Sequence, residues 1–305
     1  MSRKPILVGV DASPEAAGAA LFAVDAAHGA ATSYHLVHAT GDASMPAPGG
    51  DPSPSTRLDE QARAHVAGAL GKRVAAAVLE ALTVSRGSPA AVLNDAVATL
   101  GAELVVLGGK HHSTIGRWVG GSTSVDVARS TIVPLLVTVG RPTIRRVLVA
   151  VDLSAAAPPT LAAAERYAAL FGAELRALSV VEPLFFLPEV PQPDSTDYYR
   201  HWEETLAREV WPLIRAPGVD TRLRHGAALD GILHEAAEWR ADLLVVGSHG
   251  KGWGKRMLVG SVTERLINHL PASLLVVPAA AAAVRPEAHF SAANPRDIEE
   301  HEEEP

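Results

Sequence analysis

Residues 242–261 read DLLVVGSHGKGWGKRMLVGS. Leu243 to Gly247 is a short apolar run bounded by an aspartate and a glycine, the pattern of a strand buried on both faces. The residues that follow Ser261, VTERLINHL, carry apolar side chains at helical spacing. The stretch is therefore a strand, a glycine-rich loop and a helix start, in that order. Glycine has no Cβ to hold a ligand away from the backbone and tolerates positive φ. A helix start offers unpaired N–H groups and a partial positive charge. Together they make a phosphate site. Ser261 is expected to cap the helix and to offer its hydroxyl to the same anion. Lys251, Lys255 and Arg256 add positive charge to the loop.

The loop is not a Walker A motif, which needs a glycine five residues before Gly-Lys. Counting back from Gly254-Lys255 reaches His249, and from Gly250-Lys251 reaches Val245. No G-x-G-x-x-G is present either. The spacing is G-x2-G-x9-G-S, formed by Gly247, Gly250, Gly260 and Ser261.

Working outward, the chain repeats itself. Gly108 and Gly247 lie 139 residues apart, as do Gly121-Ser122 and Gly260-Ser261, Gly87 and Gly226, and Val137 and Val276. The segments ending in Asp11 (VGVD) and Asp152 (VAVD) lie 141 apart. This is too long for a solenoid unit and reads as a duplicated domain. In the first copy, strands are expected at 5–11, 33–39, 82–86, 103–108 and 135–139. Helices are expected from Ser13-Pro14 to about residue 29, over 58–79 and 89–100, and from Ser122. The second copy keeps the order, with strands near 145–152, 174–181, 219–225, 242–247 and 273–277. Its helices fall near 158–172, 199–215, 228–240 and 261–270. Strands alternating with helices imply α/β domains, parallel sheets with helices on both faces. In doubly wound sheets ligands bind at the carboxyl ends of the strands, where the winding reverses.

Composition narrows the function. The 305 residues suffice for two domains; 48% are hydrophobic and 20% charged, as in a globular protein. The absence of cysteine excludes disulfides and thiolate chemistry. No apolar run approaches the length of a membrane span, and the N-terminus reads as a strand rather than a signal peptide. The formal net charge is -7. Residues 279–305 are read as an acidic, disordered tail that holds most of it. A nearly neutral body argues against nucleic acid as a partner. Adjacent residues such as His111-His112 rarely aim both rings at one ion, and no carboxylate or further histidine lies close in sequence; His35 and His38, three apart on a strand, face opposite sides. The proline-rich segment 183–197 is expected to be a loop, with Phe185 and Phe186 over a groove or an interface or, as is more usual, packed onto their own domain.

The glycine-loop spacing, the strand ending in Asp152 and the His225-Gly226 turn before a helix resemble the universal stress protein family. The resemblance covers residues 1–140 and 145–278, as a tandem pair. It implies two doubly wound parallel five-stranded sheets of order 3-2-1-4-5, ATP with or without Mg2+ as ligand, no redox cofactor, a cytoplasmic location and a homodimer as one assembly. By position, Ala150, Val151 and Asp152 would border the adenine and the backbone of Val180 would bond it. Gly247 and Gly250 would admit ribose and phosphates, His249 would lie beside them, and Gly260, Ser261 and Val262 would donate to phosphate oxygens. A carboxylate repels phosphate, so Asp152 belongs at the nucleoside end. The first copy keeps Asp11, Gly108, Gly121 and Ser122 but has His111 where the second has Gly250. It is expected to bind nucleotide weakly or not at all.

Three functions are compatible with these residues. The first is an ATP-binding stress-response or regulatory module. The second is a nucleotide-independent interaction protein, whose copies pair through their last strands. The third is a nucleotide-using enzyme. No nucleophile-and-base set or G-x-S-x-G elbow is present, so ATP hydrolysis is expected to be slow or incidental.

Overall fold

A computed structural model describes residues 4–41, 53–109, 122–183, 195–248 and 259–278. Ten strands form one sheet, in the order β3-β2-β1-β4-β5-β10-β9-β6-β7-β8. The first half supplies β1 (Ile6–Gly9), β2 (Tyr34–Thr40), β3 (Leu82–Arg86), β4 (Leu104–Gly109) and β5 (Leu135–Val139). The second supplies β6 (Arg146–Ala150), β7 (Glu174–Val181), β8 (Asp220–His225), β9 (Leu243–Gly247) and β10 (Ser273–Val277). Each half has the expected order 3-2-1-4-5 and is parallel throughout. The two five-stranded sheets are not separate, however. β5 and β10 pair antiparallel, Leu136 opposite Leu275, so each half covers the other's open edge.

The inner strands β1, β4, β5, β6, β9 and β10 are nearly continuous apolar runs because successive side chains enter different layers, whereas the outer β3 (LTVSR) and β8 (DTRLRH) are largely polar. Ile6, Val8, Val149 and Val245 point to one face with Phe22 and Tyr167; Leu7, Leu148, Leu244 and Val246 point to the other with Leu93 and Ile232. The first face is covered by α1 (Pro14–Ala30), α2 (Ser53–Leu70), α3 (Ala76–Leu79) and α6 (Ala157–Phe171). The second is covered by α4 (Pro89–Leu100), α5 (Ser122–Ser130), α8 (Ala228–Trp239) and α9 (Ser261–His269). Polar contacts join the halves: Arg129 donates to Glu264 at 3.2 Å, Arg166 pairs with Glu103 at 2.7 Å, and Ser273 Oγ accepts from the backbone of Val139 at 3.1 Å.

Two helices depart from the sequence pattern. The helix expected over 58–79 stops at Leu70, and Gly71 to Ala75 turn before α3. The one expected near 199–215 begins as α7 (Ser195–Thr205), widens to a π turn over Leu206–Val210 and tightens to a 3-10 turn over Trp211–Leu213. Pro212 has no N–H to continue a regular ladder. Phe185, Phe186 and the tail 279–305 lie outside the described residues.

Candidate functional site

β6 and β9 are neighbours, with Ala150 opposite Val246, so the two ends where the winding reverses meet at one crevice. A cavity of about 550 Å³ opens there. Ala150, Val151 and Asp152 reach it from β6, and Val180 from β7. Gly247 reaches it from β9, and Gly260, Ser261 and Val262 from the start of α9. Asp152 and Gly247, 95 residues apart in the chain, are thus brought together by strand order alone. His249 and Gly250, with Lys251, Lys255 and Arg256, lie outside the described residues.

Asp152 sits in a tight turn: its Oδ1 accepts from the backbone of Ser154 at 3.0 Å, while the residue still lines the cavity. Ser261 does not cap α9. The cap is Gly260, in extended conformation (φ -60, ψ 147) and with no side chain to bond. The Gly260 N–H goes to Ser248 O at 2.7 Å, so it is not the open phosphate donor expected of it, and its carbonyl accepts from Glu264 at 2.9 Å; α9 starts at Ser261 as expected, with its cap one residue before the expected Ser261. Ser261 is the first helical residue, so its N–H is one of the four that a helix start leaves without an intrahelical partner.

Thr263, unremarked in the sequence, ties the helix to the strand: its hydroxyl donates to Gly247 O at 2.8 Å. The far end of the cavity was also unread. Glu182, Tyr198 and Trp202 line it. The only sequence signal was that Glu182 lies two residues beyond Val180, in strand register with it; nothing in the pattern of α7 announced its aromatic face.

The sequence profile of the Universal stress protein family matches residues 2–138 and again 143–278. The chain belongs to the universal stress protein family. It is a tandem member. A universal stress protein of Mycolicibacterium smegmatis is 29% identical over 293 residues, covering 89% of this chain and 96% of that one. The crystal structure of a universal stress protein from Archaeoglobus fulgidus superposes with a TM-score of 0.59 at 20% identity, covering 90% of this chain and 98% of that chain. A functionally unknown protein of Pseudomonas aeruginosa gives 0.56 at 18% identity, over 92% and 95%. At such identities the structural likeness concerns the fold.

The universal stress fold of the first half has its own cavity, of about 330 Å³, at the matching crevice. Asp11 and Gly108 line it; Ser122 begins α5 beside it, and Gly121 and His111 lie outside the described residues. Gly108 is needed for close packing, because a Cβ there would lie 2.3 Å from the Glu15 carbonyl carbon at the start of α1. Glu15 itself lines this cavity. Its Oε2 is buried with no hydrogen-bond partner among the described residues. Ile267 and Leu270 of the second half also enter. Leu270 takes a left-handed conformation (φ 38) and fills the space where a Cβ on Gly109 would stand, its Cδ1 2.3 Å from that point. His38 lines the same cavity, its Nδ1 2.7 Å from Val10 O, whereas His35 does not.

No cluster of metal-ligating side chains occurs among the described residues, and no helix among them is long and apolar enough to cross a membrane.

Proposed function

We propose that this universal stress protein is a regulatory module that binds one adenine nucleotide, ATP with or without Mg2+, in its second half. The observation that carries the reading is the convergence of eight expected contact residues on the 550 Å³ cavity. The phosphates would meet the N–H groups at the start of α9 beside Gly247. The nucleoside would lie across Asp152 toward Val180, two strand spacings or about 10 Å away. Binding rather than turnover is the role: Asp152 and Glu182, the carboxylates among the lining residues, come from the β6 and β7 side, and none comes from β9 or α9. Any hydrolysis would be slow and incidental.

Calorimetric titration of the full chain with ATP tests this. Wild type should bind, and Gly260→Asp should weaken binding about a hundredfold or more, since a carboxylate would face the phosphates. Gly260 has backbone angles open to any residue, and aspartate is a good helix cap. Circular dichroism of the variant separates loss of affinity from loss of fold. Equal affinity in both proteins would overturn the placement.

A second reading, an interaction protein that needs no nucleotide, is favoured by the antiparallel β5–β10 junction. That junction builds the intramolecular pseudo-dimer without help from a ligand. Unchanged partner capture by Gly260→Asp from a lysate would support it.

A further inference from the structure

This inference rests on the nucleotide reading above and identifies the group that selects the base. Beyond β7 the chain continues into Glu182, which is held at two points. Its Oε1 accepts from the N–H of Ala228, the first residue of α8, at 3.1 Å, and its carbonyl accepts from the Tyr198 hydroxyl at 3.2 Å. Tyr198 in turn packs edge-on against Trp202, with ring centroids 6.5 Å apart and planes at 74°. All three residues line the cavity with Val180, at the end away from α9. That end therefore combines an aromatic wall with one carboxylate in a fixed place.

The chemistry of this end is selective. An ionised carboxylate only accepts hydrogen bonds. It repels phosphate and leaves the uncharged end of a nucleotide to lie beside it. Oε1 accepts from Ala228, which leaves Oε2 as the oxygen best placed to receive a donor from a ligand. Adenine presents a single exocyclic amino group at its 6-position. Hypoxanthine presents a carbonyl oxygen at the same place, and oxygen against oxygen is repulsive. We propose that Glu182 is the specificity-determining residue of this site and accepts a hydrogen bond from the 6-amino group of adenine. Gly41 stands at the corresponding position of the first half, so that cavity has no such group.

The test compares ATP and ITP by calorimetry on the full chain, for wild type, Glu182→Ala and Glu182→Gln, with circular dichroism to confirm equal folding. Wild type should prefer ATP by about tenfold or more, the worth of one hydrogen bond to a charged group. Glu182→Ala should bring the ratio close to one. Glu182→Gln can still accept from Ala228 but can turn its amide N–H toward a 6-oxo group, so its ratio should shift toward ITP. The same ATP-to-ITP ratio in all three proteins would overturn the assignment of Glu182 while leaving nucleotide binding intact. Failure of wild type to bind either nucleotide would overturn the nucleotide reading itself, and this proposal with it.

Discussion

The two cavities occupy the same place in two copies of one fold, yet one encloses about 550 Å³ and the other about 330 Å³. Aspartate at the end of the first strand, glycine at the end of the fourth and the hydroxyl residue that begins the following helix are retained in both. The walls are not. Where the second cavity has Ala156, the first has Glu15, a longer and acidic residue, one of whose carboxylate oxygens is buried with no hydrogen-bond partner among the described residues. Where the second half has Ser248, the first has Gly109, and Leu270 of the other half occupies the vacated space. Among the described residues, none of the first half lines the second cavity. Joining the copies has therefore taken room from one site only. Duplication preserves the backbone frame because the sheet needs it, whereas the side chains facing the crevice are free to diverge.

The halves also differ in how their outer strands are held. Glu235 on α8 is 3% exposed and receives Arg176 at 2.7 Å and Arg224 at 2.5 Å. The matching residues of the first half are Ala96, His35 and Ser85, which carry no such network. Burial alone would push the Glu235 carboxyl up, but hydrogen bonds and charge from Arg224 and Arg176 outweigh it and hold the group below the usual carboxylate range.

Six substitutions would break or sharpen this comparison. Gly108→Ala should have the largest effect, because the new methyl would meet the α1 backbone, which cannot yield. We expect a loss of about 3 kcal/mol or more in urea unfolding. Gly109→Ala, which meets the movable Leu270 and Val137 side chains, should cost about 1–2 kcal/mol. Equal losses would mean that the Gly108 contact is not a rigid one. Glu235→Ala should lower stability by about 3 kcal/mol, the low end for a broken buried pair because Arg224 is partly exposed. Ala96→Ser in the first half should change it by less than about 0.5 kcal/mol.

The pH dependence of the same pair follows from the sign of the shift. A carboxyl whose folded pKa is depressed contributes its stability fully above the unfolded value, about 4.3, and loses it as pH falls through the lower folded value. The stability gap between wild type and Glu235→Gln should be constant from pH 6 to 8 and should shrink as the solution is acidified below about pH 4. A gap that widened on acidification would contradict the assigned direction. A modest effect on affinity is expected at the first cavity. Glu15→Ala removes a carboxylate from the phosphate side and should raise its affinity for ATP by about tenfold, measured with Gly260→Asp in the background. No gain would place the cause of its weakness elsewhere.

The frame of this site was legible in the sequence, and its lining was legible only in part. Strand order carries Asp152 to Gly247 across 95 residues, so the repeat and the apolar runs sufficed to bring them together. The cap of α9 was misplaced by one residue because Gly260 bonds Ser248, a long-range contact that capping preference does not register. Glu182, Tyr198 and Trp202 were not legible because they meet through the packing of β7, α7 and α8, which no local periodicity encodes. The weakness expected of the first copy was argued from His111, outside the described residues. The structure offers Glu15 and Leu270 as further causes, and Leu270 belongs to the other half of the chain.

Native mass spectrometry of the full chain at rising ATP concentration tests the inequality of the halves most directly. One bound nucleotide should accumulate to saturation, with a second appearing only at concentrations about tenfold higher or not at all. Two adducts growing together, or none at any concentration, would contradict it.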